Sequence, residues 1–167
     1  VRVIALCVSD ASPNRLGESG SNGGGDAKVG YLTTGKETSV KEAKKVVVLL
    51  KTGKSDNGKN ATLAFSCALS AVALGHDTTM FLTSDGAVWG YTESAAGISV
   101  QGFSPLQTLI EEFIETGGQI MLCSVCHRTC SIGGPDSTPL VQKLGAVQIA
   151  GFTSMVELAA DGVCISF

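Results

Sequence analysis

The sequence predicts a three-layer α/β domain built on a mostly parallel five-stranded sheet, and three observations carry that expectation. From Lys45 onward, five short apolar runs bounded by Gly, polar and turn residues alternate with helical patterns, the order produced by strand–helix–strand units. One run, Val46-Val47-Val48-Leu49-Leu50, is unbroken, as a central parallel strand buried on both faces must be. A chain of 167 residues is long enough for one domain with a sizeable core and too short for two, and its hydrophobic fraction of 44% fits a buried sheet.

Residues 1–40 differ from the remainder in composition. Residues 1–8, which include Cys7, read as a short strand, while residues 9–35 are rich in Gly, Ser and Asn and hold no sustained period. The chain therefore divides into an irregular N-terminal arm, 1–40, and an α/β domain, 41–167.

Within the domain, the first strand covers residues 45–51. A turn-rich loop, 52–60, leads into a helix over 61–74 that Gly75 stops. Only Thr62, Ser66 and Ser70 are polar in that helix, so its apolar surface extends beyond the side facing a sheet. Together with a charged fraction of 16%, this predicts a partner subunit, most simply a homo-oligomer. The second strand, 76–83, carries Met80, Phe81 and Leu82, and a Gly- and Ala-rich connection over 84–103, around Trp89 and Tyr91, is long enough to wall the sheet edge. The next helix has Ser104 as N-cap, Pro105 at its first position and Gln107 closing a capping box. Leu106, Leu109, Ile110, Phe113 and Ile114 form its buried stripe, and Gly117 ends it. A third strand runs over 120–123, a helical piece over 126–131 and a turn over 139–144. A fourth strand at 146–149, a short helix at 154–160 with Glu157 in a capping box, and a strand at 163–167 close the chain.

A net charge of −3 argues against nucleic acid as ligand. Seven of the twelve basic residues fall between Lys36 and Lys59, and beyond Asn60 only Arg128 and Lys143 are basic. No apolar run is long enough for a membrane span, and residues 1–30 lack the order of a signal peptide. Six unevenly spread cysteines in a chain with its own core point to a reducing compartment, hence the cytoplasm, or an organelle if a transit segment once preceded Val1.

Residues 117–134 are the densest in chemistry: Cys123, Cys126, Cys130, His127 and Arg128 lie within eight positions. They follow a strand at its C-terminal end, the edge where open α/β sheets carry their ligand sites. Cys123-Ser124-Val125-Cys126-His127 spells the c-type haem attachment pattern, but Met80, Met121, Met155 and His76, the available axial ligands, read as strand or core residues. Cys123, Cys126, His127 and Cys130 could instead hold zinc or an iron–sulfur cluster, without the remote second ligand pair of a zinc ribbon. The third reading is thiol chemistry. Cys123 sits where a strand turns into a helix, so the free N–H groups of the helix start and the cations His127 and Arg128 stabilise its thiolate. Cys126, further into the turn, is expected to feel less of that field; Cys130 is a possible additional thiol. Cys7, Cys67 and Cys164 read as packed sulfur. Residues 53–60, Gly-Lys-Ser-Asp-Asn-Gly-Lys-Asn, nearly spell a phosphate-binding loop but end in Asn60 instead of a hydroxyl residue, and a βα turn capped by Asn60 accounts for them.

From Lys45 onward the chain resembles the DsrE/DsrF-like family. The resemblance rests on the Val-Val-Val-Leu-Leu strand, a small-residue helix ending Leu-Gly-His, the strand Thr-Met-Phe-Leu-Thr, Gly-Gly-Gln-Ile-Met-Leu-Cys, and a closing Ala-Asp-Gly-Val-Cys-Ile-Ser-Phe. It implies a flavodoxin-like α/β subunit that assembles into oligomers. It also implies sulfane sulfur carried as a persulfide on Cys123, which attacks a sulfur donor and passes the outer sulfur to an acceptor protein or small thiol. Cys126 matches a second cysteine found in some members and would receive the sulfur or release it by forming a disulfide. No cofactor is implied. The alternative is a binding or scaffold subunit whose cysteine cluster is structural or holds a metal.

Overall fold

The computed structural model describes residues 43–129 and 141–167. Both the arm and the strand expected over residues 1–8 lie outside them, as does the start of the turn expected at 139–144. Five strands form one sheet: β1 (Lys45–Leu50), β2 (Asp77–Leu82), β3 (Gln119–Cys123), β4 (Val147–Ala150) and β5 (Gly162–Ser166), in the spatial order β4-β3-β2-β1-β5. Every pairing is parallel, so the mostly parallel sheet expected is wholly so. Among the described residues four α-helices accompany the sheet: α1 (Lys59–Ala73), α2 (Leu106–Glu115), α3 (Ser124–Thr129) and α4 (Phe152–Ala160). Steps from β1 to β2 and from β2 to β3 run in one direction across the sheet, whereas β4 returns to β5 on the far side of β1. Right-handed crossovers then place α1 and α2 on one face and α4 on the other. This is the three-layer, flavodoxin-like architecture expected.

The core explains why these segments fold so. Val46, Val47, Val48 and Leu50 are buried, as are Met80, Phe81, Leu82, Ile120 and Leu122 beside them. Alternate residues of each strand face opposite layers, and burial on both faces is why these strands show no polar alternation. Small residues let α1 lie close: Ala61, Ala64, Ala68 and Ala71 are buried around Phe65, whose ring meets Phe113 of α2 edge-on at 5.9 Å. The polar stripe of α1 turns inward on its own backbone. Thr62, Ser66 and Ser70 each donate their hydroxyl to the carbonyl four residues back, at 2.8–2.9 Å. Leu63 on α1 and Leu74 just past its end remain exposed, as do Phe152 and Val156 on α4.

Helix starts depart from the expected ones. α1 begins at Lys59 after Gly58, and Asn60 is not its cap; the Asp56 carboxylate accepts the N–H groups of Gly58 (3.0 Å) and Asn60 (2.7 Å) instead. Pro105, not Ser104, precedes α2, because the Leu106 N–H is already taken by the Ile98 carbonyl at 3.0 Å and needs no side-chain cap. Gln107 donates to Glu111 at 2.7 Å and closes no capping box. α4 starts at Phe152, two residues early and without a box at Glu157, where the Phe152 ring packs on Phe81 at 5.7 Å. Likewise α3 follows Cys123 with no intervening turn, two residues before the helical piece expected at Cys126.

Candidate functional site

β3 lies beside β2 in the sheet, so their C-terminal ends bring Thr83-Ser84 next to the segment that opens with Cys123. Cys123 closes β3 and is 1% exposed; Cys126, the third residue of α3, is 8% exposed. Three positions in sequence separate the two thiols, one closing β3 and the other in the first turn of α3, so both stand at the C-terminal end of β3. The hydrogen bonds, however, go to Cys126. Its Sγ accepts the backbone N–H of Ser84 at 3.1 Å and lies 3.5 Å from the Thr83 hydroxyl. The sequence directed the stronger field to Cys123. Thr83 and Ser84 escaped notice there because they belong to another strand, and only the β2–β3 pairing makes them partners of α3.

That turn is held firmly. Ser84 has φ 51, a left-handed backbone that few residues other than Gly adopt. Thr83 N–H donates to the Leu50 carbonyl at 3.0 Å, and Gly86 N–H to the Lys51 carbonyl at 2.8 Å, tying the turn to the end of β1. Gly86 permits the approach: a Cβ there would stand 2.4 Å from the Leu50 carbonyl oxygen.

His127 Nδ1 lies 2.6 Å from the hydroxyl of buried Tyr91, and the two rings stack at an interplanar angle of 14°. The connection 84–103 thus forms a wall of the site through Tyr91, with Trp89 anchored by its indole N–H on the Thr52 carbonyl at 2.8 Å. Arg128 is exposed, and Cys130 lies outside the described residues. The metal reading depended on Cys130; among the described residues no group of three or more His, Cys, Asp or Glu could hold a metal ion.

Two other thiols provide a contrast. Burial pushes the Cys67 and Cys164 thiols up from their ordinary range, since removing water disfavours the thiolate. The look-alike phosphate loop is already occupied by its own chain: Asp56 takes the Gly58 and Asn60 amides that a phosphate would need. Gly58, at φ 78, faces Ile98 with no room for a side chain. A cavity of about 160 Å³ lies between Lys54, Tyr91, Glu93 and Ser94, in loops that leave the same ends of β1 and β2. No helix among the described residues is long and apolar enough to cross a membrane.

A family model described as the DsrE/DsrF-like family matches residues 44–167. Among solved structures the chain is similar to the ychN protein from E. coli, at 16% identity and a TM-score of 0.55, over 74% of this chain and 99% of that one. This likeness shows the fold. No curated protein matches.

Proposed function

The chain belongs to the DsrE/DsrF-like family, and from that premise we propose that it is a small cysteine-based sulfur-handling protein, a carrier or sulfurtransferase for sulfane sulfur. Membership points to sulfur relay in general; the residues give it a form. One thiolate of the Cys123–Cys126 pair attacks the outer sulfur of a donor persulfide R–S–SH, and the donor leaves as R–S⁻. The sulfur is held as Cys123–S–SH, with Cys126 as the second thiol of the exchange. An acceptor thiolate then attacks the outer sulfur, takes it as its own persulfide and restores the protein thiolate. His127 and Arg128 complement the negative charge of the pair, and Cys130 is a possible additional thiol.

The observation that carries this reading is a backbone N–H aimed at a thiol sulfur at the C-terminal edge of the sheet, Ser84 N–H 3.1 Å from Cys126 Sγ, three positions after the thiol that closes β3. Such a donor favours charge on sulfur. The protein works as a homo-oligomer in reducing surroundings such as the cytoplasm, with Leu63 of α1 and Leu74 at its C-terminal end, left exposed on the subunit, covered by a second copy. Its partners are sulfur donors and acceptors.

Intact mass spectrometry under native, non-reducing conditions tests the reading after incubation with a small-molecule persulfide. The wild type gains one sulfur atom and the Cys123→Ser/Cys126→Ser double variant gains none. A wild type that gains no sulfur, or that carries a metal removable by a chelator, contradicts it and favours a structural or metal-holding cluster.

A further inference from the structure

We propose that Thr83 and Ser84, at the end of β2, form a two-donor cradle around the Cys126 sulfur, and that Cys126 is therefore the port through which sulfur enters and leaves Cys123. The inference rests on the sulfur-handling reading above and assigns each thiol its part. Ser84 N–H points at Cys126 Sγ from 3.1 Å, and the Thr83 hydroxyl, 3.5 Å away, can turn its proton toward the same atom. Neither donor depends on a mobile surface side chain. Ser84 offers backbone, fixed by the Leu50 and Lys51 carbonyls through its neighbours, and Thr83 is 7% exposed. Among the described residues no comparable donor reaches the sulfur of Cys123.

The chemistry follows from where the charge sits. Cys126–S⁻ attacks the outer sulfur of R–S–SH, forming Cys126–S–SH and releasing R–S⁻. Cys123–SH gives its proton to the departing R–S⁻, and the Cys123–S⁻ so formed attacks that same outer sulfur, giving Cys123–S–SH and expelling Cys126–S⁻. Each step forms one S–S bond and breaks one, the proton stays on the moving sulfur, and no oxidant or reductant is consumed. The cradle favours charge on Cys126 Sγ, which is present when Cys126 is empty and absent when it is loaded. It therefore makes Cys126 a good attacking group and a good leaving group, and biases the resting sulfur toward Cys123. Exposure agrees, since the port at 8% lies nearer solvent than the store at 1%. Discharge retraces the path, with an acceptor thiolate taking the sulfur from Cys126–S–SH.

Thr83→Val removes the hydroxyl with little change of shape, and Thr83→Ser retains it. In the reduced protein, the rate of iodoacetamide modification at each cysteine is followed by site-resolved mass spectrometry across pH. Loading from a small-molecule persulfide is measured in parallel. Thr83→Val is expected to slow Cys126 at neutral pH by roughly tenfold or more, the effect of losing one hydrogen bond to a charged group, and to displace its rate profile to higher pH. Loading slows in proportion, Cys67 and Cys164 keep their rates, and Thr83→Ser stays near wild type. If the wild type loads sulfur but Thr83→Val leaves the Cys126 rate and profile unchanged, the cradle is wrong and the sulfur reading stands. If Thr83→Val slows Cys126 while the wild type takes up no sulfur, the cradle stands and the sulfur reading falls. Should Thr83→Val fail to fold, the wild type decides alone: Cys126 is labelled before Cys123, and the reverse order overturns the proposal.

Discussion

Cys67 and Cys164 lie partly exposed on α1 and β5, whereas Cys123 and Cys126 are almost fully buried where β3 turns into α3. Burial alone would make the second pair the inert one. What separates them is the company each sulfur keeps. Desolvation raises the Cys67 and Cys164 thiols with nothing to offset it, while Cys126 has lost water and gained an N–H and a hydroxyl in its place. A buried polar group costs free energy only where its partners are missing. The comparison teaches that burial alone does not describe a thiol's surroundings in this fold: at the sheet edge, donors from the end of a neighbouring strand replace the lost water at Cys126.

The sharpest way to break the contrast is to move the donors without touching a thiol. Gly86→Ala puts a Cβ against the Leu50 carbonyl oxygen, a backbone atom that cannot step aside, so the turn holding Ser84 must shift. A loss of about 2–4 kcal/mol in denaturant-induced unfolding is expected, in the range of core overpacking and backbone strain. Alkylation of Cys126 should slow as well, with Cys67 and Cys164 unaffected. Alkylation slowed alike at all four described cysteines would show that the turn does not govern Cys126 in particular.

A smaller effect comes from the other pair. A thiol whose folded-state pKa is raised keeps its proton after the unfolded chain has lost it, so the folded state binds more protons above the ordinary thiol range. Stability therefore falls as pH rises through that range, and below it the term vanishes. The wild-type melting temperature should drop slightly more than that of a Cys67→Ala/Cys164→Ala variant between about pH 7 and pH 10. Equal drops would mean that these sulfurs are not desolvated.

The strands were legible because parallel strands buried on both faces must be apolar throughout, and Val46 to Leu50 leave no other reading. Helix starts were less so. The expected caps at Asn60, Ser104 and Glu157 assumed side-chain acceptors, while the chain uses the Asp56 carboxylate for α1 and the Ile98 carbonyl for α2. Both partners are set by how a loop folds back, which local pattern does not record. The site divides in the same way. Its cysteines stand together in sequence and mark the edge of β3, but Thr83, Ser84 and Tyr91 come from a strand and connection some forty positions earlier, joined to them only by the β2–β3 pairing. The sequence gathers the candidate thiols and is silent on which backbone amide faces one of them.

The central claim is that the sheet-edge pair, and neither of the other two described thiols, handles sulfur. Its most direct test loads the wild-type protein with a small-molecule persulfide, blocks all free sulfur by rapid alkylation, and maps the added sulfur by tandem mass spectrometry. The account predicts the extra sulfur on Cys123, with a minor, faster-exchanging fraction on Cys126 and none on Cys67 or Cys164. Sulfur found on Cys67 or Cys164, or spread evenly over the four, would contradict it.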